Sequence, residues 1–340
     1  MINEIISQNE AGQRFDKYLK KYLKEAPSSF LYKMLRKKNI TLNEKKADGH
    51  ELLSLGDRIS FYLSEETIQK FRGNLSSELE NSLDEYRKAY LVLKNRFHVL
   101  YEDDQIILAD KQQGVLSQKA TPDDLSINEA LIGYLLHQEQ VSEMSLRTFK
   151  PSVCNRLDRN TSGIIIFGKT LEALQQISLQ LKERNLHKFY YCIVKGTITD
   201  ADSLEGKLYK DEKTNTVTIS KHTEKRTDTD ETSAQGANII TKYKPLKAVH
   251  GLTLLEVELI TGKTHQIRAH LASIGHPILG DSKYGDLKLN EFYKKKCHLK
   301  GQLLHAIRIE FLGMEGGLYH LSNQTFTSPL PQIFQTIMEE

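Results

Sequence analysis

The polar segment Asn155-Arg156-Leu157-Asp158-Arg159-Asn160-Thr161-Ser162-Gly163 runs without a break into Ile164-Ile165-Ile166-Phe167. Four consecutive large apolar residues, three of them β-branched, read as a buried strand, so the fold needs a sheet with a covered interior. Asp158 then lies at the edge of a core, with Arg156 and Arg159 beside it. Neighbouring cations favour the ionised carboxylate, which is the form a nucleophile needs. Thr161, Ser162 and Gly163 suit a tight turn that fixes the direction of the acid. On these residues alone, an Arg–Asp pair that stabilises a loop reads as well as a reactive carboxylate.

The 340 residues exceed one average domain and suffice for two, with no repeat or low-complexity tract. No apolar run approaches the roughly 18 residues that span a bilayer. Met1 to Glu10 lacks the basic start and apolar core of a secretory signal. Cys154, Cys192 and Cys297 lie far apart and form no CxxC pair, which fits free core thiols in a reducing cytoplasm. A cytoplasmic protein without membrane association is expected.

The net charge of +3 is unevenly spread: Ala11 to His50 holds eleven Lys and Arg against four Asp and Glu. Such polarisation suggests an appended module with an anionic partner, although a solvated basic face would look the same. Phe15, Leu19, Tyr22 and Leu23 form one face of a helix. Ser28 and Ser29, after Pro27, are cap candidates for a second helix carrying Leu31, Met34 and Leu35. Lys33, Arg36, Lys37 and Lys38 crowd that helix and its exit. Ile40-Thr41-Leu42 and Ile59 to Leu63 read as strands, with Gly56-Asp57 as the turn before the second. This arrangement over residues 12–63 resembles the S4 RNA-binding domain. The resemblance implies that these four cations lie against phosphates and that the shape of a folded RNA is read.

Residues 64–96 are polar, mixed in sign and weakly helical, and read as a linker. A larger domain over residues 97–330 follows. His98 to Glu102 and Gln105 to Ala109 are strand-like around the turn pair Asp103-Asp104. Thr170 to Asn185 is an amphipathic helix with Leu171, Leu174, Ile177 and Leu181 inward. Phe189 to Val194, Leu252 to Ile260 and Leu303 to Phe311 read as strands, and Asp211 to Gln235 as a surface loop. Strands and helices do not alternate regularly, so the predicted class is α+β with a mixed, largely antiparallel sheet.

Two further segments carry chemistry. Lys188-Phe189-Tyr190-Tyr191-Cys192-Ile193-Val194-Lys195-Gly196 places an aromatic at Tyr190 that could stack on a base, although an aromatic in a strand is usually core. In Thr261-Gly262-Lys263-Thr264-His265-Gln266-Ile267-Arg268-Ala269-His270-Leu271, residues Ile267, Leu271 and Ile274 form a helical stripe, and Gly275 is a stop. His265 and Arg268 lie one turn apart off that stripe, so both can face a site. His265 and His270 are spaced i, i+5 rather than i, i+4, which argues against a metal site. Gly280-Asp281 and Tyr284-Gly285 read as turn punctuation.

Together these segments resemble the RluA-type pseudouridine synthases. Asn155 to Gly163 matches the HRLDxxTSG signature, with Asn in place of the usual His. Lys188 to Gly196 matches KxYxAxVxG, with Cys192 for Ala. Thr261 to Gly285 matches TGRTHQIRxHLxxxGHPIxGDxxYG nearly throughout. Val99 to Gly114 matches the family's opening, with Gln112 where Pro is usual, and Gln302 to Ala306 resembles its closing LLHA strand. The resemblance implies that Asp158 is catalytic, that Tyr190 packs on the target base, and that Arg268 pairs with Asp158 and aims it. It implies that Arg156 fills the gap left by the displaced base. His265 and Lys188 are placed with Arg156 among the substrate-binding residues.

The implied reaction breaks the N-glycosidic bond of a uridine, turns the base and rejoins it through carbon 5, without a cofactor or metal. Asp158 would attack the sugar carbon or the uracil ring, or remove a sugar proton. The implied partner is RNA, with 23S rRNA or a ribosomal precursor ahead of tRNA, and family precedent suggests a monomer. Two other classes compete. One is an RNA-binding ribosome-assembly factor with a vestigial site. The other is a carboxylate glycosidase, which needs a second acid, here Asp103 or Asp104.

Overall fold

A computed structural model describes residues 2–72, 75–143, 145–211, 214, 216–220 and 236–339. The chain forms two compact units. One comprises Met1–Leu108, Gln118–Asn155 and Ile166–Ser178, and the other Ala109–Ser117, Arg156–Ile165 and Leu179–Glu340. No helix among the described residues is long and apolar enough to cross a membrane.

The first unit opens with β1 (Ile2–Ile5), α1 (Phe15–Tyr22), α2 (Ser28–Arg36), β2 (Ile40–Leu42) and β3 (Arg58–Phe61), and its small sheet has the order β1-β3-β2. The expected face of α1 is buried, with Tyr18 added to Phe15, Leu19, Tyr22 and Leu23. Strand β1 extends the small sheet beyond the expected start, pairing antiparallel with β3 from Ile2↔Phe61 to Ile5↔Arg58. Neither Ser28 nor Ser29 caps α2. Pro27 takes the cap position with extended backbone, and Ser28 is already helical. The core of this region reaches beyond residue 63 to Ile68 and Phe71.

The stretch expected as a linker is helical: α3 (Glu65–Arg72) and α4 (Leu75–Leu93). In α4, Leu83, Tyr86 and Ala89 are buried, a face that the mixed charges of the sequence hide. Helix α5 (Ile127–His137) meets α4 closely, because a Cβ at Gly133 would stand 2.1 Å from the Tyr86 carbonyl oxygen. The unit also holds β4 (Phe97–Glu102), the start of β5 (Ile106–Lys111), α6 (Ser145–Thr148), β6 (Ser152–Val153) and the end of β7 (Ser162–Gly168). Lys21 Nζ on α1 donates at 2.8 Å to the Thr148 carbonyl at the end of α6, which ties the N-terminal region to this part of the unit.

In the second unit one sheet runs β10-β9-β11-β12-β8-β13-β7. The strands are β8 (Leu186–Lys195), β9 (Asp202–Asp211), β10 (Thr216–Ser220), β11 (Ala237–Val249), β12 (Leu252–Leu259) and β13 (Leu304–Phe311). Neighbours are antiparallel except β13 and β7, which run parallel with Ala306 opposite Gly163. This mixed sheet and its helices make the fold α+β. Gly163 has φ +106, and a Cβ there would lie 2.3 Å from the Ala306 carbonyl oxygen, so only glycine lets β13 lie beside β7. The expected loop from Asp211 begins instead as the β9–β10 hairpin; residues 221–235 lie outside the described residues.

Helix α7 (Leu171–Glu183) turns its face slightly from the expected one: Ala173, Ile177 and Gln180 are buried, while Leu171, Leu174 and Leu181 are half-buried. Helix α8 (Gln266–Ser273) is buried from Gln266 to Leu271 on all sides rather than along one stripe, and Gly275, at φ +82, follows its end. Helices α9 (Leu287–Cys297) and α10 (Gln332–Glu339) and the short strand β14 (Thr325–Thr327) complete the unit. Leu157, Tyr190, Cys192, Val194, Val257, Ile267 and Leu271 share one core, so Asp158 projects from a packed base.

Candidate active site

Asp158 sits in a turn closed by the Thr161 N–H donating to the Asp158 carbonyl at 3.0 Å. The backbone on either side is held by buried polar groups. The Ser117 hydroxyl donates to the Leu157 carbonyl at 2.7 Å and accepts from the Leu157 N–H at 2.9 Å. Lys111 is fully buried. Its ammonium reaches the carbonyls of Val115 at 2.8 Å, Gln112 at 3.3 Å, and Asp158 and Arg159 at 3.4 Å. Gln113 donates to the carbonyls of Asn160 and Gln302, and Gln302 donates to the Thr161 hydroxyl at 2.9 Å. The acid is therefore carried on a backbone with few ways to move, which is what a positioned reactive group requires.

The cation that meets Asp158 is neither of its sequence neighbours. Arg159 donates to the Gly114 carbonyl at 3.2 Å, and Arg156 is exposed. Instead Arg268 Nη1 donates to Asp158 Oδ2 at 2.8 Å, from 110 residues away. The same guanidinium holds Asp281 with two bonds, Nε to Oδ2 at 2.7 Å and Nη2 to Oδ1 at 2.9 Å. Asp281 has no exposed surface, and its Oδ1 also accepts the N–H groups of Lys283 and Tyr284. Burial works against the charge of Arg268, but Asp281 and then Asp158 outweigh it and raise its pKa. Burial alone would raise the Asp281 carboxyl; Arg268 and the two backbone donors overcome it and hold it below the ordinary value.

Asp281 and Tyr284, read from sequence as turn punctuation, thus belong to the site. The signal was there in an acid that directly follows the apolar stretch Pro277 to Gly280, but its partner is not local. His265 is not inside α8 but caps it in the left-handed region, at φ 55. Its Nε2 stands 3.9 Å from Asp158 Oδ2, and its Nδ1 is 3.1 Å from the Tyr284 hydroxyl. That hydroxyl accepts the Val217 N–H at 2.8 Å. The electrostatically favourable tautomer has the Tyr284 hydroxyl donate to Nδ1 and carries the imidazole hydrogen on Nε2, on the side of the carboxylate. Burial holds the His265 pKa below the usual histidine value, against the pull of Asp158.

Tyr190 is buried on β8, and burial, followed by the charge of Asp158, raises its phenol pKa. Lys188 precedes it by two residues, so the pleat puts both on one face. The Lys188 ammonium lies beside Gly262, whose missing Cβ would stand 3.4 Å away. Burial lowers the Lys188 pKa. Asn155 uses its side-chain oxygen to accept the Ile166 N–H at 2.7 Å. Of the sequence-predicted residues, Asp158, Tyr190, Arg268 and His265 are brought together and Lys188 shares the Tyr190 face, whereas Arg156 stands exposed. Lys33, Arg36, Lys37 and Lys38 are exposed on the first unit.

No group of three His, Cys, Asp or Glu residues able to hold a metal occurs among the described residues. His270 instead contacts the Thr241 hydroxyl through Nδ1 at 2.9 Å. Asp103, one candidate for a glycosidase's second acid, closes the β4–β5 turn by accepting the N–H groups of Gln105 and Ile106. The carboxylate that does approach the site, Asp281, is held twice by Arg268 and has no free proton-donating edge.

The mixed sheet thus sets an aspartate against a distant arginine, with a buried tyrosine in the core beneath. Residues 105–273 match the family of RNA pseudouridylate synthases, and through them the chain belongs to that family of uridine isomerases. Curated relatives span almost the whole chain. One from Buchnera aphidicola subsp. Baizongia pistaciae (strain Bp), named ribosomal large subunit pseudouridine synthase C, is 29% identical over 98% of this chain and 95% of its own. Another of that name, from Vibrio parahaemolyticus serotype O3:K6, is 28% identical over 90% of this chain and 87% of its own. The solved structure of human RNA pseudouridylate synthase domain containing 4 shares the fold, with a TM-score of 0.56 and 22% identity, over 74% of this chain and 95% of that one.

Proposed function

We propose that this pseudouridine synthase acts on large-subunit ribosomal RNA and that Asp158 begins the reaction. The observation that carries the role of Asp158 is its 2.8 Å bond to Arg268, whose other edge is locked on the buried Asp281. A guanidinium fixed on one side can aim a carboxylate on the other without itself moving. The target uridine leaves its stack; Tyr190 packs on the base and Arg156, exposed two residues before Asp158, enters the gap. The N1–C1′ bond breaks and a C5–C1′ bond forms. The C5 proton is lost to solvent, and N1 takes one up, so the reaction balances without an oxidant or a second substrate. His265 and Lys188 contact the bound nucleotide. The S4-like region of the first unit binds folded RNA through Lys33, Arg36, Lys37 and Lys38. The names of the relatives support the ribosomal target.

Tritium release from transcripts carrying 5-tritiated uridine tests the reading. Release from 23S ribosomal RNA well above that from transfer RNA is expected. Release from transfer RNA alone would overturn the target, and binding without release from either would leave the RNA-binding assembly factor as the better account.

A further inference from the structure

Helix α9 has two unlike sides. Its inner side carries Leu289, Tyr293 and Cys297 into a core with Leu279, Leu299 and Leu303. From that side Asn290 grips the main chain around Asp281: its Oδ1 accepts the Gly280 N–H at 2.7 Å, and its Nδ2 donates to the Asp281 carbonyl at 2.9 Å. The helix is therefore bound to the turn that holds Arg268.

Its outer side is basic. Lys283 to Lys300 contains six lysines against two acids. One of those acids, Asp286, is committed to capping the helix and to Lys195 at 2.7 Å. The other, Glu291, meets Lys295 at 3.7 Å in a surface pair of little energetic weight. Because the chain totals only +3, and Ala11 to His50 is strongly positive, the residues outside these two stretches are net negative. Cations in a last helical turn gain modestly from the helix dipole. That accounts for a lysine at Lys294, Lys295 or Lys296, but not for Lys288 or Lys300, nor for the large aromatic among them. Phe292 is 56% exposed, and the Lys296 ammonium stands over its ring at 6.0 Å. A basic row beside an exposed ring fits an unstacked polynucleotide, which offers phosphates to the one and a base to the other.

We propose that the outer face of α9 is a second RNA-contacting surface, distinct from the S4-like region and from the Asp158 site. Lys294, Lys295 and Lys296 follow phosphates of the substrate strand, and Phe292 stacks on a base other than the target uridine. This inference rests on the reading that the substrate is RNA, which tritium release by the unaltered protein checks separately.

The test measures the affinity of the full chain for a 23S ribosomal RNA transcript across a series of KCl concentrations. Lys294→Gln/Lys295→Gln/Lys296→Gln should make the plot of log affinity against log salt shallower by about two. It should raise KM at least about tenfold at low salt and leave kcat within about twofold. Phe292→Ala should weaken binding about fivefold or more without changing the slope. Lys294→Arg/Lys295→Arg/Lys296→Arg should keep the wild-type slope, which separates loss of charge from loss of fold. Wild-type slope in the glutamine variant, or wild-type affinity in Phe292→Ala, would overturn the proposal. So would RNA binding that persists while binding to phosphatidylglycerol vesicles is lost, since the face would then serve an anionic membrane.

Discussion

The charges of the two units are used in opposite ways. In the second unit, Asp158, Arg268 and Asp281 are linked by bonds of 2.7 to 2.9 Å, and Asp281 has no contact with solvent. In the first unit, Lys33, Arg36, Lys37 and Lys38 stand exposed around the end of α2. A buried ionic group costs desolvation and is stable only while every partner is present, so it encodes geometry. Exposed cations are held in place by nothing but their helix; they encode affinity, and salt screens them. On the proposed reading, the same residue types carry chemistry in one unit and attraction for RNA in the other.

The largest expected effect comes from breaking the buried side. Arg268→Met should lower tritium release below detection. It should also destabilise the protein by about 3 to 5 kcal/mol in urea unfolding, because Asp281 is left buried without its counter-ion. Native stability with lost activity would instead show that Asp281 tolerates isolation. Lys111→Met comes next, expected to cost about 2 to 3 kcal/mol, since it strips a buried donor from the carbonyls beneath Asp158.

The buried group should also show in pH. Asp281 is held below the ordinary carboxylate value, so its contribution is whole above the unfolded value of about 3.9 and is lost as pH falls through the lower folded value. The stability gap between wild type and Asp281→Asn should thus be constant near neutrality and close only below about pH 4. A gap that closes above pH 6 would contradict the pairing. The smallest stability effect belongs to the exposed side. Lys33→Ala/Arg36→Ala/Lys37→Ala should change unfolding by no more than about 0.5 kcal/mol, yet make RNA affinity less salt-dependent while leaving kcat alone.

How far each side was legible follows from the same contrast. Exposed cations and the stripes of α1 and α2 are local, and periodicity finds them. Asp158, Tyr190 and Arg268 were found by their motifs, because 110 residues separate the pair and no local pattern joins them. Asp281 escaped because an aspartate after glycine reads first as a turn, and its partner sits on a helix before it. The burial of Lys111 was hidden likewise, since its partners are main-chain carbonyls that carry no sequence signature. Strand β1 depends on β3, some 55 residues on, and α4 on α5, whose Gly133 admits it. In each case the missing information was the identity of a distant partner.

The proposed chemistry turns on Asp158, and Asp158→Asn tests it with almost no change in volume. Affinity for 23S ribosomal RNA and tritium release should be measured on the same preparation. The expected result is wild-type affinity with no tritium released. Release at a rate near that of the wild type would contradict the assignment of the reaction to this carboxylate.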